Sequence, residues 1–326
     1  MQKNWQTLLK EVITDPAELL DKLELNPNLL PSAQRVAKLF PLRIPTSFLA
    51  RMQKGDPEDP LLQQVLPLAA EEIISVGFSQ DPLQERAVNP LPGLLHKYHG
   101  RVLLTLTGAC AINCRYCFRR HFPYAENIPG GTAWQNILTY IKADTSINEV
   151  ILSGGDPLLA NDQYLRKCTD DLVEIAHVNI LRIHSRLPIV LPERITTDFL
   201  NWFSNTRLQT ILVTHSNHAN ELDDSVHCAI AKLRERKISV LNQTVLLKGI
   251  NDNVEALVNL SQRLFACGVL PYYLHLLDKV QGAAHFVVPE ATAKRLMTAL
   301  RERLPGYLVP KCVYEQSGAL SKLPVF

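Results

Sequence analysis

From Arg101 onward, short apolar runs alternate with amphipathic stretches, and this alternation limits the possible folds more than any other feature of the chain. The apolar runs have the length of buried strands, and the stretches between them repeat apolar residues at helical spacing. Strands that alternate with helices form a parallel sheet with right-handed crossovers. The predicted strands are 102–107, 150–153, 180–184, 210–215, 240–244 and 269–276, with helices at 163–176, 221–236 and 254–266 among them.

These strands predict an α/β fold, and their number fits either a partial (βα)6 barrel or an open doubly wound sheet. The first part of the chain has a different pattern, in which leucines at helical spacing are interrupted by prolines. We therefore predict a helical N-terminal region over 1–95 and a sheet-forming unit over 96–310. Residues 311–326 form a separate C-terminal segment in this division.

Polar side chains follow every predicted strand at its carboxyl end. In parallel α/β folds the active site lies at this edge, where the loops after the strands meet. The placement therefore predicts one site built from several loops. Its members are Cys110 after the first strand, Gly154, Gly155 and Asp156 after the second, His184, Ser185 and Arg186 after the third, His215 and Gln243 at the ends of the fourth and fifth, and Asp278 past the sixth.

Charge and hydropathy patterning exclude several classes of protein. Lys and Arg number 34 against 32 Asp and Glu, and a net charge of +2 argues against a broad nucleic-acid surface. No apolar run approaches the roughly 18 residues that a membrane span needs. Residues 1–6 contain no apolar signal core. We therefore expect a cytoplasmic protein that contacts neither nucleic acid nor membrane.

The seven cysteines are unevenly distributed, since Cys110, Cys114 and Cys117 lie close together. In a reducing compartment we expect thiols, metal ligands or catalytic groups rather than disulfides. The remaining four have apolar neighbours and are predicted to be buried, as free cysteines commonly are. These four are Cys168, Cys228, Cys267 and Cys312.

The triplet has the spacing C-x3-C-x2-C in a strand-to-helix loop. Structural zinc sites use four ligands with paired spacing, whereas an iron–sulfur cube held by three thiolates keeps one iron open to another ligand. The triplet resembles the cluster motif of the radical S-adenosylmethionine (SAM) enzymes, in which that iron binds SAM and an electron releases a 5′-deoxyadenosyl radical. The alternative is a non-catalytic adaptor that binds zinc.

Longer segments resemble the lysine 2,3-aminomutases of that superfamily, in order from about residue 95 to Lys322. Three segments, 94–98, 121–127 and 278–286, resemble more narrowly the bacterial branch that acts in elongation factor P modification. The other segments that carry the resemblance are 101–110, 117–120, 152–156, 185–192, 214–218, 242–247 and 271–273. The resemblance implies a partial (βα)6 TIM-like barrel with a helical N-terminal region.

The resemblance also implies three cofactors: a [4Fe-4S] cluster on the cysteine triplet, SAM, and pyridoxal 5′-phosphate (PLP). The SAM positions of the family match Gly154, Gly155, Asp156, His215 and Gln243. PLP needs a Schiff-base lysine, and Lys322 occupies the family's place for it, which makes 311–326 a PLP-lysine segment. Arg101 and Lys97 match phosphate-binding positions, although arginine is usual where Lys97 stands.

An amino acid with a cationic tail needs a cation for its carboxylate and an anion for its ammonium group. Arg119 matches the family's carboxylate-binding arginine, whose fork suits bidentate pairing. Asp278 and Glu315 match the two partners of the ε-ammonium group, with glutamate where the family usually has aspartate. Acids at both positions disfavour a substrate with an anionic tail.

The expected activity is therefore that of an isomerase, a radical SAM and PLP-dependent lysine 2,3-aminomutase. The narrower resemblance implies that it forms (R)-β-lysine, which a separate ligase attaches to elongation factor P. A flavodoxin or ferredoxin is the expected reductant. The main alternative is a catabolic aminomutase that releases (S)-β-lysine.

Overall fold

A nine-stranded sheet organises the computed structural model, which describes residues 4–326. Each strand pairs with its neighbour in the sequence, and the pairs from β2 to β8 are parallel, whereas β1 and β9 are antiparallel to theirs. The strands are β1 Leu94–Tyr98, β2 Arg101–Thr107, β3 Glu149–Gly154, β4 Ile180–Ser185, β5 Gln209–His215, β6 Ser239–Val245, β7 Leu270–His275, β8 Lys311–Tyr314 and β9 Leu323–Pro324.

Helices connect the parallel strands and bury their apolar faces against the sheet. The helix Val254–Ala266, for example, buries Leu257, Leu260 and Leu264. The helices are α1 Trp5–Leu8, α2 Pro16–Lys22, α3 Leu30–Leu39, α4 Thr46–Leu49, α5 Gly131–Ala143, α6 Asp162–Val173, α7 Leu187–Val190, α8 Thr197–Ser204, α9 Asp224–Glu235, α10 Val254–Ala266 and α11 Glu290–Arg303.

The strand order identifies a partial barrel rather than a doubly wound sheet. A doubly wound sheet reverses its strand order at one point, whereas here the spatial order follows the chain throughout. Side chains from β1 to β7 line one common cavity, which requires the sheet to curve around it. The predicted α/β class and the six predicted strands, now β2 to β7, are confirmed. The short strands β1, β8 and β9 were not predicted.

The N-terminal region packs into the same apolar core as the barrel. Phe48, Leu62 and Val65 are fully buried in one cluster with barrel residues such as Leu152 and Leu212. Because the two regions share this core, the core does not mark a boundary near residue 95, and that division remains a prediction. At the other end of the chain, β8 and β9 extend the sheet into the C-terminal segment.

Every helix within residues 4–326 is too short or too polar to span a lipid bilayer. The first three residues, on which the expectation about export partly rests, lie outside the described part.

All seven cysteines are free thiols. Cys168, Cys267 and Cys312 are buried, as predicted. The prediction for Cys228 is wrong, because this residue is exposed. It lies on α9, whose buried residues are Val226, Ala229, Ile230 and Leu233, and the apolar neighbours in the sequence belong to that opposite face.

Candidate active site

A cavity of about 310 Å³ lies at the carboxyl ends of the parallel strands and brings together every predicted site residue. Its lining contains the side chains assigned to the cluster, to SAM, to PLP and to the substrate. These are Cys110, Cys114, Cys117, Gly154, Gly155, Asp156, His215, Gln243, Lys97, Arg101, Lys322, Arg119, Asp278 and Glu315. Residues more than 200 positions apart in the chain thus share one cavity.

The three cysteines of the triplet face this cavity from the loop after β2. A backbone turn from Cys117 N to Cys114 O at 3.0 Å shapes the loop. Burial, with the neighbouring thiols, raises the pKa of Cys110 and raises that of Cys117 to about 11. The described lining contains these three cysteines and no fourth one, and three thiolates leave one iron of a cube without a protein ligand. This donor set fits a cluster with one open iron.

The glycines after β3 allow the backbone to approach the cysteine loop. Gly154 has a φ of +120°, and a Cβ there would lie 2.6 Å from Thr107 O. A Cβ on Gly155 would lie 2.3 Å from Ala109 O. Gly155 N instead donates to Thr107 O at 2.7 Å. Both positions therefore require glycine because the backbone at the end of β2 and in the loop after it packs directly against them.

Asp156 joins the loop after β3 to the loop after β4. Its carboxylate accepts hydrogen bonds from Ser185 Oγ at 2.6 Å, from Arg186 N at 2.8 Å and from Leu187 N at 3.1 Å, and also from Leu158 N. The side chain assigned to SAM is therefore engaged with the backbone that positions Arg186.

Arg186 connects the cysteine triplet to the N-terminal region. Its Nη1 donates to Cys114 Sγ at 2.7 Å and to Tyr116 Oη at 2.8 Å, and its Nη2 donates to Gln64 Oε1 at 2.6 Å and to Glu221 Oε2 at 2.9 Å. The guanidinium and the Glu221 carboxylate are both buried. Sequence analysis noted Arg186 only as a strand-end residue and missed Gln64 and Glu221.

Burial lowers the pKa of the three histidines that line the cavity, His184, His215 and His275, and so favours their neutral forms. His215 Nε2 lies 2.9 Å from Tyr116 Oη, and burial, with the Arg186 charge, lowers the pKa of His215 to about 3. His184 also lines the cavity, and burial lowers its pKa well below the ordinary value. Gln243 stands beside His215 in the strand register, with no side-chain hydrogen bond to the described residues. Its amide is therefore available to a ligand.

A group of cations occupies the other end of the cavity around Glu315. Its carboxylate accepts a hydrogen bond from Lys97 at 2.6 Å, pairs with Lys322, and accepts from Tyr98 Oη at 3.2 Å. Burial alone would raise the pKa of Glu315, but Lys322 and Lys97 outweigh burial and hold it well below the ordinary range. Arg101 lies 4.9 Å from the Tyr98 ring centroid. This arrangement of an amine and two further cations fits a phosphate-bearing aldehyde such as PLP.

Arg119 and Asp278, which are predicted to bind opposite ends of the substrate, differ in whether other side chains already contact their charged groups. Arg119 donates from Nε and Nη2 to Glu85 at 2.8 and 2.7 Å, and from Nη1 to Ser153 Oγ at 3.2 Å. The carboxylate of Asp278 has no hydrogen-bond or ion-pair partner among the described residues. Burial, with the nearby Glu315 charge, raises the pKa of Asp278 to about 7. Glu85 is a further residue that sequence analysis missed.

A buried carboxylate from the N-terminal region clamps the cysteine loop from behind. Glu71 accepts two hydrogen bonds from Arg115, both at 2.7 Å, and pairs with Arg120 at 2.9 Å. The side chains of Arg115 and Glu71 are 0% and 1% exposed. Arg115 follows Cys114 directly and Arg120 lies three residues after Cys117, so this carboxylate fixes the loop that carries the thiols.

A three-cysteine loop after the first parallel strand, at the mouth of a partial barrel, defines a radical SAM enzyme. The model of a 4Fe-4S single cluster domain matches residues 99–180. The solved structure of SuiB from Streptococcus suis bound to S-adenosylmethionine has a TM-score of 0.51 at 13% identity, over 68% of this chain and 51% of that one. At that identity the likeness supports the fold alone.

Relatives of known name identify the family. The chain is 52% identical to the L-lysine 2,3-aminomutase of Escherichia coli over 99% of its own length and 95% of that protein. It is 48% identical to the Haemophilus influenzae protein of that name, over 98% of this chain and 95% of that protein. It is 33% identical to the Clostridium subterminale protein of that name, over 99% of this chain and 77% of that protein.

The chain therefore belongs to the radical SAM lysine 2,3-aminomutase family. It is an isomerase whose cofactors are a [4Fe-4S] cluster, SAM and PLP. Membership in this enzyme family overturns the alternative of a non-catalytic zinc adaptor.

Proposed function

We propose that this protein converts L-lysine into (R)-β-lysine by moving the α-amino group to C3, and that the product serves elongation factor P modification. The observation that carries the proposal is the shared cavity, in which the cysteine triplet, Lys322 and two carboxylates meet. Two acids suit the cationic tail of lysine and would repel the anionic tail of glutamate. The names of the relatives support the same substrate.

In the proposed mechanism Cys110, Cys114 and Cys117 hold the cluster, and Lys322 attaches PLP. When bound, the cluster with SAM supplies a hydrogen-abstracting radical, and PLP supplies a π-system that accommodates the migrating nitrogen. Gly154, Gly155, Asp156, His215 and Gln243 form the part of the cavity assigned to SAM. The neutral His215 accepts or donates a hydrogen bond there without adding charge.

Glu315 changes partners in this proposal. It pairs with Lys322 and Lys97, and both lysines are assigned to PLP, Lys97 with Arg101 on the phosphate. Lys322 and Lys97 would hold PLP, and the Glu315 carboxylate would then receive the ε-ammonium group together with Asp278, which lines the same cavity. The same carboxylate would therefore contact both lysines and the substrate.

Arg119 binds the substrate carboxylate in the proposed complex. Glu85 occupies the Nε–Nη2 edge of its guanidinium, so the substrate uses the Nη1 side next to Ser153 or displaces Glu85. In either case the buried guanidinium stays paired, which avoids the cost of an uncompensated internal charge. The protein's contribution is then to fix the substrate carbon near the radical source and to exclude water.

The finer parts of the proposal rest on the narrower family resemblance. Identity is 52% and 48% to the Escherichia coli and Haemophilus influenzae relatives against 33% to the Clostridium subterminale one. This difference supports the elongation factor P branch and with it the (R) product, a separate ligase as consumer, and a flavodoxin or ferredoxin as electron donor. We also propose a cytoplasmic location and the division into regions 1–95, 96–310 and 311–326.

The test is anaerobic turnover of L-lysine with SAM, PLP and a chemical reductant, followed by chiral chromatography of the product. The proposal predicts (R)-β-lysine. Formation of (S)-β-lysine would support an aminomutase but contradict the elongation factor P assignment. Unchanged L-lysine after incubation with protein that contains the cluster and PLP would show that L-lysine is not the substrate. Purified elongation factor P and its ligase, added afterwards, should incorporate the product.

A further inference from the structure

Gln64 is a fully buried amide, and its apolar neighbours Leu61, Leu62, Val65 and Leu66 belong to the core. It comes from the N-terminal region, yet its side chain reaches the network behind the cysteine loop. We propose that Gln64 is a positioning residue for the iron–sulfur cluster, because it fixes Arg186 so that the guanidinium donates to Cys114 Sγ. The inference rests on the proposed placement of the cluster on the cysteine triplet.

Every hydrogen-bonding position of the Gln64 amide is used. Oε1 accepts from Arg186 Nη2 at 2.6 Å, from Asn217 Nδ2 at 3.0 Å and from Tyr116 Oη at 3.3 Å. Nε2 donates to Glu221 Oε1 at 3.1 Å and also to the Pro60 carbonyl. The amide therefore joins Arg186 and Glu221, the two charged members of the network, on both of its ends.

The backbone around Gln64 is fixed as firmly as its side chain. Asp59 Oδ1 accepts from Leu61 N at 2.9 Å and from Leu62 N at 2.8 Å, which caps the short turn that carries Gln64. Gln64 O accepts from Arg115 N at 2.9 Å, and Arg115 follows Cys114 directly. The turn is therefore anchored to the cysteine loop through backbone and side chain together.

This geometry has a consequence for the cluster rather than for the substrate. Hydrogen bonds and positive charge at the cysteine sulfurs raise the reduction potential of an iron–sulfur cluster. Without the Gln64 oxygen, Arg186 Nη2 keeps only the Glu221 carboxylate as acceptor, and the guanidinium shifts toward it and away from Cys114. The cluster potential then becomes more negative, and the electron transfer that starts turnover becomes slower.

The experiment compares Gln64→Leu with Gln63→Leu, the same change at the adjacent position. Gln63 Nε2 donates to the Pro57 carbonyl at an exposed site and serves as the matched control. EPR-monitored redox titration of the reconstituted proteins should give a more negative midpoint potential for Gln64→Leu only. Steady-state assays should show a lower kcat with an unchanged KM for L-lysine. Loss of folded protein alone would lower the apparent kcat but would not change the midpoint potential of the remaining clusters.

Equal midpoint potentials for Gln64→Leu and wild-type protein would overturn the inference. If Gln64→Leu fails to fold, Gln64→Asn retains the amide but withdraws it by one methylene, and the same negative shift is expected. A wild-type potential in Gln64→Asn would then overturn the inference. If replacement of Cys110, Cys114 and Cys117 by alanine leaves the iron content unchanged, the placement of the cluster on which the inference rests is wrong.

Discussion

Lys97 Nζ donates a hydrogen bond of 2.6 Å to Glu315, a carboxylate 218 positions later in the chain. The other oxygen of that carboxylate pairs with Lys322. One acid thus holds the amine assigned to the PLP linkage and the amine assigned to the PLP phosphate. Under the proposed function, the acid that pairs with both of these lysines also receives the ε-ammonium group of the substrate.

Replacement of Lys322 by alanine should abolish the covalent PLP adduct, because the proposal assigns the linkage to this amine. The measurement is borohydride reduction of the loaded protein followed by peptide mass spectrometry. Lys311→Ala, a change of an exposed lysine on β8, is the control and should retain the adduct. An adduct of undiminished yield in Lys322→Ala would show that another lysine carries PLP.

Asp278→Asn should raise the KM for L-lysine by about 10- to 100-fold, with a smaller effect on kcat. A hydrogen bond to a charged group contributes about 1.5–3 kcal/mol, and the neutral amide loses that part of ammonium binding. Steady-state kinetics under anaerobic conditions measure the change, with the exposed Asp170→Asn as control. An unchanged KM in Asp278→Asn would remove this residue from the substrate site.

Lysine binding should weaken as the pH falls through about 7. Burial, with the Glu315 charge, raises the pKa of Asp278 to about 7, so the carboxyl is neutral below this pH and ionised above it. Only the ionised form pairs with the ε-ammonium group. A pH profile of kcat/KM should therefore rise through an inflection near pH 7, and the same inflection in Asp278→Asn would contradict the assignment.

Glu71→Gln should lower the free energy of unfolding by about 3 to 5 kcal/mol, because it leaves Arg115 and Arg120 buried without their counter-charge. Urea unfolding of the cofactor-free protein measures the loss. Glu72→Gln is the matched control, since Glu72 pairs with Arg35 at the surface and should matter far less. Similar losses in both variants would reject the clamp on the cysteine loop.

Gly155→Ala should destabilise the protein by about 1 to 3 kcal/mol and lower its iron content. The added Cβ would lie 2.3 Å from Ala109 O and would push the cysteine loop away from β3. Gly131→Ala, at the start of α5, has open space around its Cβ and is the control. Thermal melts and iron assays of both variants test the prediction, and normal iron binding in Gly155→Ala would refute it.

The sequence predicted what depends on periodicity along the chain. The strands β2 to β7 and the helix Val254–Ala266 could be predicted because their apolar repeats are local. Strands β1 and β9 could not, since β1 is short and partly polar and β9 has two residues. Their pairing depends on neighbours that the local pattern does not reveal.

The sequence marks the cysteine triplet and Lys322 by a motif and a family position, and the structure brings them to one cavity, while their roles remain predictions. Gln64, Glu71 and Glu85 could not be predicted, because their roles arise from contacts across the boundary between the N-terminal region and the barrel. One weak signal was present, because Gln63 and Gln64 are two polar residues between apolar neighbours. Without the fold, that signal does not say which buried group the amide satisfies.

The most direct test of the account is the fate of the α-nitrogen of L-lysine. The protein loaded with both cofactors is incubated anaerobically with L-lysine labelled with ¹⁵N at the α-amino group, SAM and a reductant, and the product is analysed by NMR. We expect β-lysine that carries the ¹⁵N label on C3. Label that stays entirely on C2, or that is released as ammonium, would contradict it.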